Sequence, residues 1–490
     1  MKNPLLLAID QGTTNTKAVL VNRQGQIVAR ASYAPKIFYP QPGWVEQDPL
    51  ELWETTYCAI SDCVRKALGD IVAIAVTNQR ETTVVWERSS GKPLGPAVVW
   101  QCRRSTPICN SLIQAGHEPF VRERTGLTID PMFSGGKMQW LLDHIPNGRS
   151  RAERGEICLG TVDSWILWNL TGGHAFSCDY TNASRTQLFN LNTLSWDEHI
   201  LDLFGIPQVA LPEVMPSGQI YGVTVSQGEI PGGIPIAALI GDSHAALFGH
   251  ANFQIGAIKA TYGTGTSLMT PIDRVQISNN GLSTTIAWAR PGSIVYALEG
   301  NIYATGAAVQ WVGQLLGKSD ASEIEILAKQ VESNEGVYLV PAFVGLGAPY
   351  WKAEARGLIC GLTRGAGPAH LARAALEAIA YQVRDVFDLM TKEAGLTSPQ
   401  LLADGGGSRN DFLMQFQADI LGWPVVRNDS TDISALGAAY LAGLAVGMWE
   451  TEADIQTLSR QQEHFVPQIS EVQRERLYSG WKEAVQRTLL

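Results

Sequence analysis

Apolar runs of strand length alternate with apolar stripes of helical period along the whole chain, a pattern that predicts sheets flanked by helices. Two places break the alternation in the same way. Leu5 to Ile9 runs into the polar stretch Asp10-Gln11-Gly12-Thr13-Thr14-Asn15-Thr16 and leaves it through Lys17 to Val21. This predicts strand, tight turn, strand. Ile258 to Tyr262, the stretch Gly263-Thr264-Gly265-Thr266-Ser267 and the apolar run from Leu268 repeat the pattern. A hairpin with a Gly/Thr tip is therefore expected in each half.

The clearest helix is Ala369 to Met390, where Leu371, Ala375, Ile379, Val383 and Phe387 recur at four-residue spacing on one face. Asp48-Pro49-Leu50-Glu51 predicts the start of another, with Asp48 as N-cap, proline in the first turn and Glu51 completing a capping box. That helix is expected to run to about Leu68, before Gly69. Ser434 to Gly447 is rich in Gly and Ala, which suits a helix packed closely on another element. A boundary near Phe248 to Asn252 divides the chain into domains 1–250 and 251–490. From about Thr451 a more charged helical tail is expected on the outside.

Composition narrows the class of protein. The 490 residues are too many for one ordinary core, so two domains meeting along a cleft are expected. Hydrophobic residues at 45% and charged residues at 17% exclude a disordered chain. The net charge of -10, from 37 Lys+Arg against 47 Asp+Glu, and the lack of a basic run argue against a nucleic-acid partner. An anionic nucleotide remains compatible, because backbone N–H groups and a metal ion can neutralise it locally. The cysteines Cys58, Cys63, Cys102, Cys109, Cys158, Cys178 and Cys360 form no CxxC pair and are expected to be reduced thiols. The first apolar run is too short for a signal-peptide core and no stretch is apolar enough to span a membrane, so a cytoplasmic protein is expected.

The turn at Asp10 to Thr16 gathers backbone N–H groups, threonine hydroxyls and a carboxylate. Glycine lets a phosphate approach, hydroxyls donate to its oxygens, and a carboxylate suits hydrated Mg2+. An ordinary β-turn explains the same residues equally well. The second hairpin repeats this chemistry, and Leu402-Ala403-Asp404-Gly405-Gly406-Gly407-Ser408 adds a third glycine-rich turn before a helix expected near Asn410. Such a turn admits a flat adenine ring and faces the anion-favouring end of a helix. No GxxxxGK[ST] motif occurs, which points away from the P-loop architecture.

Longer motifs sharpen the picture. Asp10-Gln-Gly-Thr-Thr, Trp44-Val-Glu-Gln-Asp-Pro, Thr77-Asn-Gln-Arg-Glu-Thr-Thr, Trp100-Gln-Cys-Arg-Arg, Asp179-Tyr-Thr-Asn-Ala-Ser-Arg-Thr, Tyr262-Gly-Thr-Gly and the stretch from Val340 to Trp351 resemble the FGGY carbohydrate kinases, most nearly the glycerol kinase group. Met132-x-Ser134-x-x-Lys137-Met138 and Gly357-Leu-Ile-Cys-Gly361 resemble the two family signatures. The resemblance covers essentially the whole chain. It implies an α/β protein of two actin-like (ribonuclease H-like) ATPase domains, mixed sheets flanked by helices, with ATP in the interdomain cleft. It also implies ATP and Mg2+ as cofactors, a small polyol or sugar as substrate, and a homo-oligomer, dimer or tetramer.

Carried over by position, the resemblance makes Asp242 the base that deprotonates the acceptor hydroxyl, with Asp10 and Asp242 near the metal. Thr13, Thr14, Asn15, Lys17 and Thr264 would meet phosphates, and Gly306, Gln310, Gly407, Asn410 or Asp411 the nucleoside. Arg80, Glu81 and Trp100 would hold the acceptor. The pattern often has arginine where this chain has Lys17, and a point charge replaces a planar fork there. It has Tyr at Met132, Gln at Ser243 and Phe at Ser267, so the acceptor pocket is expected to be roomier and wetter. The expected reaction is phosphorylation of glycerol to glycerol 3-phosphate. Another polyol or ketose (a tetritol, a pentitol, dihydroxyacetone) is the alternative within the family, and a nonenzymatic actin-like ATPase switch the alternative outside it.

Overall fold

The structure is a computed structural model that describes residues 3–352 and 354–490. Both expected hairpins form, and each is the seed of a sheet. In the first sheet the order is Gly222–Val223, Pro235–Gly241, Asp70–Asn78, Pro4–Gln11, Thr16–Asn22, Ile27–Tyr33. The hairpin strands Pro4–Gln11 and Thr16–Asn22 are antiparallel, with Asp10 opposite Lys17. Pro4–Gln11, Asp70–Asn78 and Pro235–Gly241 run parallel, so that Gln11, Asn78 and Gly241 end side by side. Parallel strands buried on both faces are near-continuously apolar, and Leu6, Leu7, Ala8 and Ile9 of the first are fully buried.

The second sheet repeats this plan with extra strands. Its order is Ser283–Arg290, Ser293–Ile302, Thr266–Ile272, Ala257–Tyr262, Gln400–Asp404, Val425–Asn428, Gln462–Phe465. Ala257–Tyr262 pairs antiparallel with Thr266–Ile272 and parallel with Gln400–Asp404. In each sheet a helix follows the outer parallel strand: Asp242–Gly249 after Pro235–Gly241, and Ile433–Ala445 after Val425–Asn428. These two helices pack on each other. A Cβ on Gly437 would lie 1.8 Å from the Ala245 carbonyl oxygen, so only glycine allows the approach. The small residues of Ser434 to Gly447 therefore serve packing, and one apolar core joins both helices to residues of both sheets.

The long helix runs Pro368–Glu393, with Ala375, Ile379, Val383 and Phe387 buried as its periodicity requires. Three local expectations need correction. The first helix is Pro49–Arg65, ending before Leu68. Asp48 caps it by accepting from Leu50 N, but Glu51 closes no capping box, because its carboxylate accepts from Lys36 N at 3.1 Å instead. The tail is also more than an outer helix. Gln462–Phe465 pairs with Val425–Asn428, and helix Glu471–Leu489 buries Tyr478 and Trp481. Those two rings donate hydrogen bonds to the buried Asp385 carboxylate at 2.6 and 2.9 Å. All seven cysteines are free. Among the described residues no helix is long and apolar enough to cross a membrane.

Candidate active site

Where three parallel strands end together, the loops that follow them converge, and ligands of open α/β sheets bind at such carboxyl edges. Here the edge presents Asp10 from the first strand, Arg80 and Glu81 from the loop after the second, and Asp242 from the helix after the third. Asp242 opens that helix, and its Oδ1 accepts from Ser243 N at 2.6 Å. Its side chain keeps 38% of its exposure, so a small molecule can reach it. Burial raises its pKa above the ordinary carboxylate range, against the opposing pull of Arg80.

Arg80 is almost fully enclosed, with Nε 3.3 Å from Asp242 Oδ1 and Nη1 2.7 Å from Glu299 Oε1. Burial alone would favour the neutral guanidine, but Glu299, Glu81 and Asp242 keep it charged. Glu81 adopts a left-handed backbone, φ 61°, a conformation rare for a residue with a side chain. Its carboxylate is held there by Arg185 Nε at 2.7 Å, and its carbonyl by Ser134 Oγ at 3.0 Å. Arg185 also reaches Glu299 Oε2 at 2.5 Å. Burial opposes ionisation of Glu299, yet Arg185 and Arg80 hold its pKa well below the ordinary range.

The first hairpin tip is fixed by buried amides. Gln79 donates to Gln47 Oε1 at 2.8 Å and to Gln11 Oε1 at 3.2 Å, while Gln47 Nε2 donates to the Thr13 carbonyl at 2.8 Å. Trp100 Nε1 donates to Thr13 Oγ1 at 3.0 Å, so the indole is bound to the tip. Thr14 is exposed at the tip, and Asn15 accepts from Ser32 Oγ at 2.7 Å. Lys17 does not point freely into the cleft: its Nζ is 3.0 Å from Asp432 Oδ1. Asp10, enclosed between the tip and Asp242, has its pKa pushed up to about 7, chiefly by burial and further by Asp242 and Asp432 against the pull of Lys17.

Of the three variant positions, Met132 is buried and packs with Leu127, Phe133 and Trp100. Its loop is tied down by buried Lys137, whose Nζ donates to the Met132 and Phe133 carbonyls. Burial pulls the pKa of Lys137 down to about 8. Ser243 Oγ accepts from Lys259 Nζ at 3.2 Å, and Ser267 Oγ donates to Glu299 Oε1 at 2.9 Å.

On the second sheet a cavity of about 380 Å³ is lined by Thr264, Gly306, Gln310, Gly407 and Asn410, all expected at the nucleotide. Tyr262, Leu376, Ile379 and Leu413 supply apolar walls. The second hairpin tip is clipped to the helix Gly306–Leu315, whose Gly306 and Ala307 N–H groups donate to the Gly263 and Thr264 carbonyls. A Cβ at Gly306 would lie 2.5 Å from the Gly263 oxygen. Asn410 caps its helix through Leu413 N. Asp411 does not line the cavity, because Arg427 Nη1 holds it at 2.8 Å.

Glu299, Arg185, Lys259, Gln47 and Gln79 were not singled out from the sequence. Arg185, Gln47 and Gln79 stand inside the motifs quoted from Asp179, Trp44 and Thr77, a signal that could have found them, whereas Glu299 and Lys259 lie outside every quoted motif.

Two sheets of one plan, a carboxylate and a guanidinium at the edge of the first and a nucleoside-sized cavity at the second define a two-domain phosphotransferase. Family models agree: the FGGY N-terminal domain matches residues 5–249 and the FGGY C-terminal domain residues 258–446. The chain belongs to the FGGY family of carbohydrate kinases. It is 51% identical to glycerol kinase 2 of Thermotoga maritima, covering 99% of this chain and 98% of that one. It is 50% identical to a glycerol kinase of Symbiobacterium thermophilum, over 99% of each. Plasmodium falciparum glycerol kinase with ADP superposes with a TM-score of 0.93 at 34% identity, over 100% of this chain and 99% of that one. The fold is thereby actin-like, α/β and two-domain.

Proposed function

We propose that the protein transfers the γ-phosphoryl group of ATP to glycerol, giving glycerol 3-phosphate. The observation that carries this reading is the convergence of Asp242, Arg80 and Glu81 at the carboxyl edge of adjacent strands, with whole-chain relatives named glycerol kinases at 50% and 51% identity. Arg80 and Glu81 offer donors and acceptors to vicinal hydroxyls, and Trp100 an apolar wall to the carbon face. Asp242 accepts the proton of the attacking hydroxyl as its bond to phosphorus forms. Burial raises its pKa against the pull of Arg80, which strengthens it as a base.

Residues 1–250 carry the acceptor and the first phosphate hairpin, and 251–490 the second hairpin and the nucleoside cavity. Thr13, Thr14 and Asn15 face the phosphates from one side and Thr264 from the other; Lys17 joins them on leaving Asp432. Among the described residues no cluster of three or more side-chain metal ligands exists. A single recessed carboxylate fits Mg2+, which is held largely by phosphate oxygens and water. Asp10 would hold it, with Asp242 close by; the cation supplies neutralisation of charge developing on the phosphate oxygens.

Met132, Ser243 and Ser267 carry shorter or less polar reach than the Tyr, Gln and Phe of the family pattern. At least one four- or five-carbon polyol or ketose is therefore expected to match or exceed glycerol in kcat/KM. Met132→Tyr, Ser243→Gln and Ser267→Phe together are expected to shift that ratio toward glycerol, each contact contributing about 1 kcal/mol. A parent enzyme that prefers glycerol by more than about a hundredfold rejects the enlarged pocket. One that uses a longer acceptor and ignores glycerol rejects glycerol as the substrate.

A further inference from the structure

Arg80 is held between two carboxylates. On the acceptor side Asp242 stands 3.3 Å from Nε; on the other, Glu299 stands 2.7 Å from Nη1. Glu299 comes from Ser293–Ile302 of the second sheet, whereas Arg80 and Asp242 come from the first. It is fully buried, and its two oxygens are shared among Arg80, Arg185 and the Ser267 hydroxyl.

We propose that Glu299 is a positioning residue for the acceptor, fixing the Arg80 guanidinium beside Asp242 from the opposite sheet. Without it, Arg80 and Arg185 face Glu81 and Asp242 with one anion fewer. Arg80 then has reason to swing fully onto Asp242, the carboxylate that has to stay open to a hydroxyl. A buried guanidinium deprived of one partner re-pairs with whatever anion is nearest. Ser267 belongs to the same device: its hydroxyl occupies Glu299 Oε1 alongside Arg80, so this position adjusts how firmly the guanidinium is held. Glu299 does not line the nucleotide cavity, so the effect should fall on the acceptor alone.

The inference rests on the acceptor assignment above, and turnover of the parent enzyme with the acceptor panel decides that assignment separately. The test is Glu299→Gln, which keeps shape and removes charge, with steady-state constants measured for ATP and for the parent's best acceptor. The acceptor KM is expected to rise by about tenfold or more, as for loss of a charged hydrogen bond, with the ATP KM within about twofold and kcat changed less than the acceptor KM. Glu299→Asp, which restores the charge one methylene short, is expected to recover most of the lost affinity. An unchanged acceptor KM, ATP and acceptor constants moving together, or an aspartate variant no better than the glutamine one overturns the proposal. If the glutamine variant does not fold, the aspartate variant decides alone. A selective rise of its acceptor KM by about threefold or more supports the role, and anything less or unselective overturns it.

Discussion

Asp242→Asn is expected to lower phosphoryl transfer by about a thousandfold or more while leaving the folded protein and its nucleotide affinity intact. The amide keeps the shape, and its oxygen can still accept from Ser243 N, so the strand-to-helix corner is preserved. Arg80 loses one partner and retains Glu299. What disappears is the capacity to take the hydroxyl proton, since an amide oxygen is a feeble base. The nucleoside cavity lies on the other sheet and shares no residue with Asp242. The check is turnover and ADP affinity measured on the same preparation; near-normal turnover removes Asp242 from the base role.

Asp10→Ala separates activity from stability in a direction that few substitutions take. Loss of the carboxylate is expected to weaken the magnesium dependence and nucleotide use together, by about a hundredfold in kcat/KM for ATP. Stability should move the other way. The carboxyl pKa is pushed up to about 7 in the folded protein from an unfolded value of 3.8. The native state therefore binds the proton more tightly, and stability falls as pH rises from the unfolded toward the folded value. Above about pH 7 the ionised carboxylate opposes folding, and its removal should leave the unliganded variant at least as resistant to denaturant as the parent at pH 8. At pH 4 that advantage should vanish. A variant with normal activity and an unchanged magnesium titration excludes Asp10 from the metal site.

The parts of this site that local sequence revealed are those that chemistry places in one turn. Both hairpins follow from an apolar run, a Gly/Thr tip and a second run, and Asp242 stands at the expected end of a strand. The ion cluster behind them was not legible, because Glu299 lies more than 200 residues from Arg80 and 114 from Arg185, and only the pairing of sheets brings them together. The same holds for Lys17, expected from the resemblance to meet phosphates, whose partner Asp432 lies 415 residues away. Gln47 and Gln79 look like ordinary polar residues until burial makes each of their hydrogen bonds necessary. The helix from Pro49 stopped early, and Gln462–Phe465 became an edge strand, because neither end is marked by strong periodicity.

Acceptor-dependent turnover of ATP by the purified chain tests the polyol kinase account most directly. ADP release is followed with Mg2+ present, against glycerol, a tetritol, a pentitol, dihydroxyacetone and a ketose, for the parent and for Asp242→Asn. The account predicts slow release without acceptor, a large stimulation by glycerol and at least one longer acceptor, and loss of that stimulation in the variant. ATP turnover that is indifferent to every acceptor, and equal in the two proteins, contradicts it.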